Sequence, residues 1–127
     1  MDTRSKILTT GHVPSLPGPL VVVTGYFDVL RAEHARALAT VRQSSGAATL
    51  VAAVLPFAEE VFDICERARM VAALRVVDYV FIASGADAAA ILEGLKPQST
   101  ADLREEDARR NRQIAEHVRR RENRNST

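Results

Sequence analysis

Tryptophan is absent from this sequence, and aromatic residues make up only 5% of it. There is a single cysteine, Cys65, so an intrachain disulfide is excluded and a reducing, cytoplasmic location is expected. We interpret Cys65 as a packed, unreactive thiol on a helix. No apolar run approaches the roughly 20 residues that span a bilayer, and residues 1–10 lack the layout of a signal peptide. The composition therefore predicts a protein without a membrane partner.

Neither sign of charge dominates, because the formal net charge is only +1. No global field attracts nucleic acid, and the basic run at residues 119–121 lies among acidic residues, so nucleic acid is not expected as a partner. His12 and His117 have no partner at metal-ligand spacing, so no metal site is predicted. With 46% apolar and 26% charged residues, the 127-residue chain has the composition of one globular domain.

The most informative segment is a β-branched run at residues 20–24 that ends at Gly25 and continues from Tyr26 to Asp28. An amphipathic stretch at residues 32–43 follows and predicts a helix. The pattern indicates a buried parallel strand that enters a tight turn and then a helix. Such a junction is where open α/β sheets bind nucleotides, because free backbone N–H groups and the helix dipole face the ligand.

The remaining apolar patterns predict an alternation of strands and helices. Predicted strands cover residues 48–55 and 76–83, and predicted helices cover residues 58–74, 86–95 and 102–122. The alternation predicts an α/β protein with a three-layer, Rossmann-like parallel sheet, whose three strands are adjacent with the first in the middle. Prolines predict an irregular arm over residues 1–19, and residues 123–127 are expected to be frayed. Residues 20–101 then form the α/β domain, and residues 102–127 its charged C-terminal helix and tail.

The segment after the first strand resembles the signature of the cytidylyltransferase-like nucleotidyltransferase superfamily, G-x-F-D-x-x-H-x-G-H. The matching positions are Gly25, Phe27, Asp28 and His34. Arg31 replaces the first histidine of the signature, and Glu33 replaces its second glycine. A second segment, residues 67–80, resembles the R-A-x-x-x-A-A-L-x-x-V-D-Y-V passage of heptose-phosphate adenylyltransferases and glycerol-phosphate cytidylyltransferases. Leu95-Lys96-Pro97 resembles the L-K/R-P that follows there, so the resemblance covers residues 20–97.

The resemblance implies the nucleotidyltransferase fold and transfer of a nucleotidyl group from CTP or ATP to a sugar or polyol phosphate, with release of pyrophosphate. It also implies Mg²⁺ as the cofactor of an active enzyme, a nucleotide or phosphate-bearing ligand, and a homodimer. By this resemblance His34 and Arg31 are the candidate catalytic residues. The candidate nucleotide-binding residues are Thr24, Gly25, Tyr26, Phe27, Asp28 and Arg67.

Departures from the family pattern predict impaired catalysis. No lysine follows the second strand, where family members carry a phosphate-binding lysine. Only Ser99 and Thr100 stand where a triphosphate-binding segment is expected, and we interpret them as helix caps. Glu33 puts an anion beside the expected phosphates, so the double replacement Glu33→Gly with Arg31→His is expected to improve triphosphate binding. Two alternatives stay open: a non-catalytic nucleotide-binding or scaffolding module, and a subunit of a partner enzyme.

Each candidate residue also has a structural interpretation. His34 can donate to a phosphate or act as a packed capping residue, and Arg31 can contact a ligand or be solvated. Glu33 offsets the helix dipole, and Asp28 bonds turn N–H groups. Arg67 lies near the nucleotide pocket or on an exposed helix face. The homodimer contact is expected around Ala35, Leu38 and Ala39 and along the stripe Asn111, Ile114, Ala115 and Val118.

Overall fold

The computed structural model describes residues 3–9, 16, 18–47, 49–83, 89–90 and 93–125. The strands are β1 (Ile7–Thr9), β2 (Leu20–Gly25), β3 (Thr49–Val54), β4 (Tyr79–Ile82) and β5 (Ser99–Asp102). The helices are α1 (Ala32–Ser45), α2 (Ile64–Ala72) and α3 (Arg104–Asn125), and a 3₁₀ turn spans Thr3–Lys6. All strand pairs are parallel, in the order β1-β4-β3-β2-β5. The predicted α/β class with a parallel sheet is thus confirmed.

The central strands β2 and β3 are apolar along their whole length because both faces of the sheet are covered. Alternate side chains enter two separate cores. Val21 and Val23 pack on one face with Leu38 of α1 and Val71 of α2, whereas Val22 packs on the other face with a cluster that includes Leu95. None of the described helices is both long and apolar enough to cross a membrane.

The predicted order of the strands is wrong in one respect. Among the three strands predicted from sequence, β3 lies in the middle, and β2 lies between β3 and the unpredicted strand β5. The chain therefore returns across the sheet after β4, and the strand order reverses between β2 and β5. In an open parallel sheet, this reversal opens a crevice at the carboxyl ends of the two strands. Ser99 and Thr100, interpreted as helix caps, belong to β5 instead.

The N-terminal arm is not irregular throughout, contrary to prediction. After the 3₁₀ turn, β1 pairs with β4 from Ile7 opposite Val80 to Thr9 opposite Ile82. Lys6 fixes this edge, because its Nζ donates to the carbonyl of Val77 at 2.9 Å. The prolines that suggested irregular structure all come after β1 in the chain, and residues 10–15 and 17 lie outside the described residues.

Helix boundaries follow the capping residues. Helix α1 begins where predicted and ends at Ser45, beside Gly46 with a φ of 65°. Helix α2 begins later than predicted, at Ile64, because the Asp63 side chain accepts from the backbone N–H of Glu66 at 2.8 Å. Cys65 in its first turn is exposed rather than packed.

Further along the chain, helix α3 starts after β5, so Asp102 ends a strand and does not open the helix. The helix continues to Asn125, beyond the predicted start of fraying. Of the helix predicted over residues 86–95, residues 89–90 and 93–95 are helical, and the others lie outside the described residues. Leu38 is fully buried in the core, so it is not available for the predicted dimer contact. The homodimer stays a prediction.

Candidate functional site

The candidate site lies at the carboxyl ends of β2 and β5, where the strand order reverses. The turn from β2 into α1 carries the residues of the first motif, and the first turns of α3 pack against it. This is the position at which α/β sheets bind ligands. One residue that sequence reasoning missed, Asp107, occupies the hydrogen-bond donors of this site.

Asp107 is 5% exposed and presents its carboxylate to the turn after β2. Its Oδ2 accepts hydrogen bonds from the backbone N–H of Tyr26 at 3.0 Å and of Phe27 at 3.2 Å. Its Oδ1 lies 2.8 Å from Nε2 of His34. The protein's own anion thus holds the N–H groups of the strand–helix junction. No local pattern could reveal this contact, because Asp107 and Tyr26 are 81 positions apart in the chain.

Protein partners occupy both ring nitrogens of His34, which is 7% exposed. Its Nδ1 accepts from the backbone N–H of Arg31 at 3.1 Å, so the proton of the neutral ring is assigned to Nε2, which donates to Asp107. This arrangement caps the N-terminus of α1, where Arg31 is the N-cap residue. The geometry matches the packed-capping interpretation of His34.

Gly25 permits the close approach of the turn to Asp107. A Cβ placed at Gly25 would lie 2.8 Å from Cε2 of Phe27 and 2.9 Å from Oδ2 of Asp107. The Phe27 ring is fully buried, and its φ of 49° places this residue in the left-handed region. A side chain at Gly25 would therefore clash with the ring of Phe27 and the carboxylate of Asp107.

We expect Gly25→Ala to lower the free energy of unfolding by about 1–3 kcal/mol, because the added methyl group overpacks a buried site. The measurement is urea-induced unfolding followed by circular dichroism. Gly18→Ala is the matched control, since a Cβ at Gly18 meets no atom within 4 Å. Equal midpoints for the two variants would contradict this account of Gly25.

Asp28 connects the turn to two other elements. Its Oδ2 accepts from the Val61 N–H at 2.7 Å and from Nδ2 of Asn111 at 2.8 Å, and its Oδ1 accepts from the Phe62 N–H at 2.9 Å. Asp28 does bond turn N–H groups, as predicted, but they belong to the loop before α2. The contact with Asn111 ties this loop and the β2 turn to α3.

Arg67 is fully buried, so the exposed-helix interpretation is wrong. Its Nη1 donates to the carbonyls of Tyr26 at 2.7 Å and Leu55 at 2.8 Å. Nε donates to the Phe62 carbonyl at 3.1 Å, and Nη2 pairs with Glu60 at 2.8 Å. Every guanidinium nitrogen therefore has a protein partner. Arg67 lies under the candidate site and holds three of its backbone segments together.

The guanidinium of Arg31 differs from that of Arg67. Its Nε and Nη2 are buried and have no hydrogen-bond partner in the part of the chain that the structure describes. A buried donor without an acceptor costs about 1–3 kcal/mol. Among the residues of the first motif, Arg31 is thus the one whose side chain has the capacity to bind an added anion.

Other candidate residues contact neighbouring elements of the fold. The hydroxyl of Thr24 donates to the Ala101 carbonyl in β5 at 3.4 Å, and the Tyr26 ring stacks on Phe57 with centroids 4.3 Å apart. Glu33 pairs with Arg110 of α3. These contacts are all made within the protein.

The start of α3 adds negative charge beside the site. Its first turn contains Glu105, Glu106 and Asp107. Bidentate hydrogen bonding to the Arg104 guanidinium lowers the pKa of Asp102 from 3.8 to about 2, so this carboxylate is ionised at neutral pH. The cavity that Glu33, His34 and Asp107 line has a volume of only about 20 Å³. Pockets for small-molecule ligands commonly measure roughly 300–1,000 Å³.

The carboxylates at the site do not fit a Mg²⁺ ion. All four carboxylate oxygens of Asp28 and Asp107 bond N–H groups of the protein. Within the described ranges, no group of three or more His, Cys, Asp and Glu side chains is arranged to hold a metal ion.

A solved structure shares this architecture. The crystal structure of the lipopolysaccharide core biosynthesis protein from Thermoplasma volcanium matches 64% of this chain and 70% of its own, with a TM-score of 0.57. The two proteins share a fold. Their sequences are 24% identical over the match, so the similarity shows the fold alone. No protein-family model and no curated protein matches the chain.

Proposed function

We propose that this chain is a divergent cytidylyltransferase-like protein, of the class that transfers a nucleotidyl group from CTP or ATP to a sugar or polyol phosphate, with impaired catalysis. The observation that carries the proposal is the bonding of Asp107 to Tyr26 N–H, Phe27 N–H and His34 Nε2. Nucleotidyl transfer depends on N–H donors and cations that face the phosphoryl oxygens. Here a carboxylate already uses three such donors.

Charge and space support the same proposal. A triphosphate brought to this turn would lie beside the carboxylate of Asp107, and the two anions repel each other. The cavity of about 20 Å³ leaves no room for a nucleotide next to His34. Loss of one donor from a preorganised site commonly lowers the rate by about 10²–10³-fold. The fold shared with a lipopolysaccharide core biosynthesis protein is compatible with descent from a biosynthetic enzyme.

A second candidate function, non-catalytic nucleotide binding, is favoured by Arg31. Its buried Nε and Nη2, which have no hydrogen-bond partner among the described residues, present two adjacent donors, the arrangement that binds phosphate oxygens in a bidentate manner. A phosphate-bearing ligand would satisfy both donors without any step of chemistry. This candidate requires that the ligand reach Arg31 without displacing Asp107.

The test is release of pyrophosphate from CTP or ATP with Mg²⁺ and a sugar or polyol phosphate. The proposal expects a rate at least about 10²–10³-fold below that of an active family member.

A parallel thermal-shift screen with the two nucleotides detects binding, and Arg31→Gln is expected to abolish any shift. Arg36→Gln, an exposed position on the same helix, is the matched control. Transfer at the rate of an active family member would reject impaired catalysis, and a shift that Arg31→Gln leaves unchanged would reject the binding role of Arg31.

A further inference from the structure

A much larger cavity, about 540 Å³, lies at the opposite end of the sheet from Asp107. It opens at the amino ends of β3 and β4, because its lining includes Thr49 and Tyr79, the first residues of these strands. Ser5 and Lys6, from the 3₁₀ turn before β1, also line it. Arg75 and Asp78 come from the segment before β4. The volume falls in the range of roughly 300–1,000 Å³ typical of small-molecule sites. We call this feature the amino-edge cavity.

Positive charge predominates in the amino-edge cavity. The Lys6 ammonium contacts only carbonyl oxygens among the described residues, those of Val77 at 2.9 Å and Leu74 at 3.4 Å. Arg75 is exposed and has no hydrogen-bond or ion-pair partner in the described part of the chain. Two cations therefore line the cavity, and neither is paired with a carboxylate of the described residues.

Among the described lining residues, Asp78 carries the only carboxylate, and it is already neutralised. Oδ2 of Asp78 lies 3.0 Å from Nη1 of Arg42 and accepts from the Leu50 N–H at 2.8 Å. Asp78 therefore offsets the charge of Arg42 rather than that of Lys6 or Arg75. An anion entering the cavity meets a net positive charge, and close ion pairs at partly buried positions are screened less than those in open solvent.

The lining also offers hydrogen bonds and apolar surface. Ser5, Thr49 and Tyr79 carry hydroxyl groups, which can donate to phosphate oxygens. The cavity is far larger than a free phosphate ion, so the ligand has a body in addition to its anionic group. Tyr79, which is half-buried, supplies apolar contact for that body. The combination of two cations, hydroxyls and spare volume is suited to a phosphate monoester.

We propose that the amino-edge cavity binds a small phosphorylated organic molecule, through Lys6, Arg75 and the neighbouring hydroxyls. This site shares no residue with the site at Asp107, so it does not depend on the proposed function. The two sites lie at opposite ends of the parallel strands. Binding at one is therefore measurable without occupancy of the other.

The test is a titration of the ¹⁵N-labelled protein with ribose 5-phosphate, with unphosphorylated ribose as the matched ligand control. The proposal expects saturable changes of the backbone amide resonances of Thr49, Asp78 and Tyr79, and none for ribose. Arg75→Gln is expected to weaken binding about tenfold or more, because it removes a charge-assisted contact. Arg69→Gln on α2, an exposed arginine outside the cavity, is expected to leave binding unchanged.

Three outcomes would overturn the proposal. The first is the absence of saturable changes at millimolar ribose 5-phosphate. The second is equal affinity of the Arg75→Gln and Arg69→Gln variants while both retain the native amide spectrum. The third is equal affinity for inorganic phosphate and ribose 5-phosphate, which would mean that the cavity takes a bare anion and not a phosphate ester.

Discussion

Arg67→Ala is expected to lower the free energy of unfolding by about 3–5 kcal/mol, the largest loss that we expect from a single replacement in this chain. The side chain is fully buried, and its guanidinium supplies donors to the carbonyls of Tyr26, Leu55 and Phe62. Its removal leaves these acceptors without their donors and opens a cavity. Glu60 adds little to the loss, because its own side chain is 41% exposed.

The measurement is equilibrium unfolding in urea, with two comparison variants. Arg69→Ala removes an exposed arginine of the same helix and should change stability by no more than about 0.5 kcal/mol. Arg67→Lys retains the charge but not the planar fork of donors, so its loss should fall between the other two. A loss for Arg67→Ala no larger than that for Arg69→Ala would contradict the role of Arg67 in holding the segments together.

Asp107→Asn is expected to strengthen the binding of inorganic pyrophosphate about 10²-fold. Two unit charges about 4 Å apart repel each other by up to ~4 kcal/mol near a protein surface, and partial solvent screening reduces this figure. The asparagine oxygen can still accept from the Tyr26 and Phe27 N–H groups, whereas its Nδ2 faces the Nε2–H of His34 and that hydrogen bond is lost. Two of the three hydrogen bonds remain, so the fold is expected to persist. The loss of charge removes the main electrostatic opposition to a bound phosphate.

Isothermal titration calorimetry with pyrophosphate measures the effect. Glu105→Gln is the matched control, because it neutralises an exposed acidic residue in the first turn of α3 without touching the β2 turn. An equal gain for the two variants would mean that the general charge of the helix start, and not the position of Asp107, limits anion binding.

The parts of the fold that could be predicted from sequence are those determined by local patterns. Continuous apolar runs predicted β2 and β3, because strands covered on both faces have few polar residues. The glycine at position 46 is a local signal for the end of α1, since a left-handed C-cap favours glycine. Gly25 is a further local signal, because a residue without Cβ permits a close approach, and here Phe27 and Asp107 make that approach.

The parts that were missed depend on contacts between distant segments. Strand β5 is short and half-buried, and it becomes a strand because it pairs with β2. Strand β1 is similarly defined by its pairing with β4. Helical spacing predicted that α2 started before Ile64, but Asp28 holds the Val61 and Phe62 N–H groups outside the helix. Periodicity and propensity do not contain this kind of information.

The same distinction between local patterns and long-range contacts applies to the candidate site. The motif placed Gly25 and His34 at a strand–helix junction, and they lie there. The residue that fills the junction, Asp107, comes from the acidic first turn of α3, which is distant in sequence from the motif. A buried arginine such as Arg67 is also hidden in the sequence, because arginine on a helix is usually exposed.

The most direct test of the account is to follow the backbone amide resonances of Tyr26 and Phe27 in the ¹⁵N-labelled protein during titration with pyrophosphate. The central claim is that the Asp107 carboxylate occupies these donors. It predicts that both resonances stay unchanged in the natural protein and move, with saturation, in Asp107→Ala, which has no side-chain oxygen and leaves both donors free. Saturable movement of both resonances in the natural protein, at the same affinity as in the variant, would contradict it.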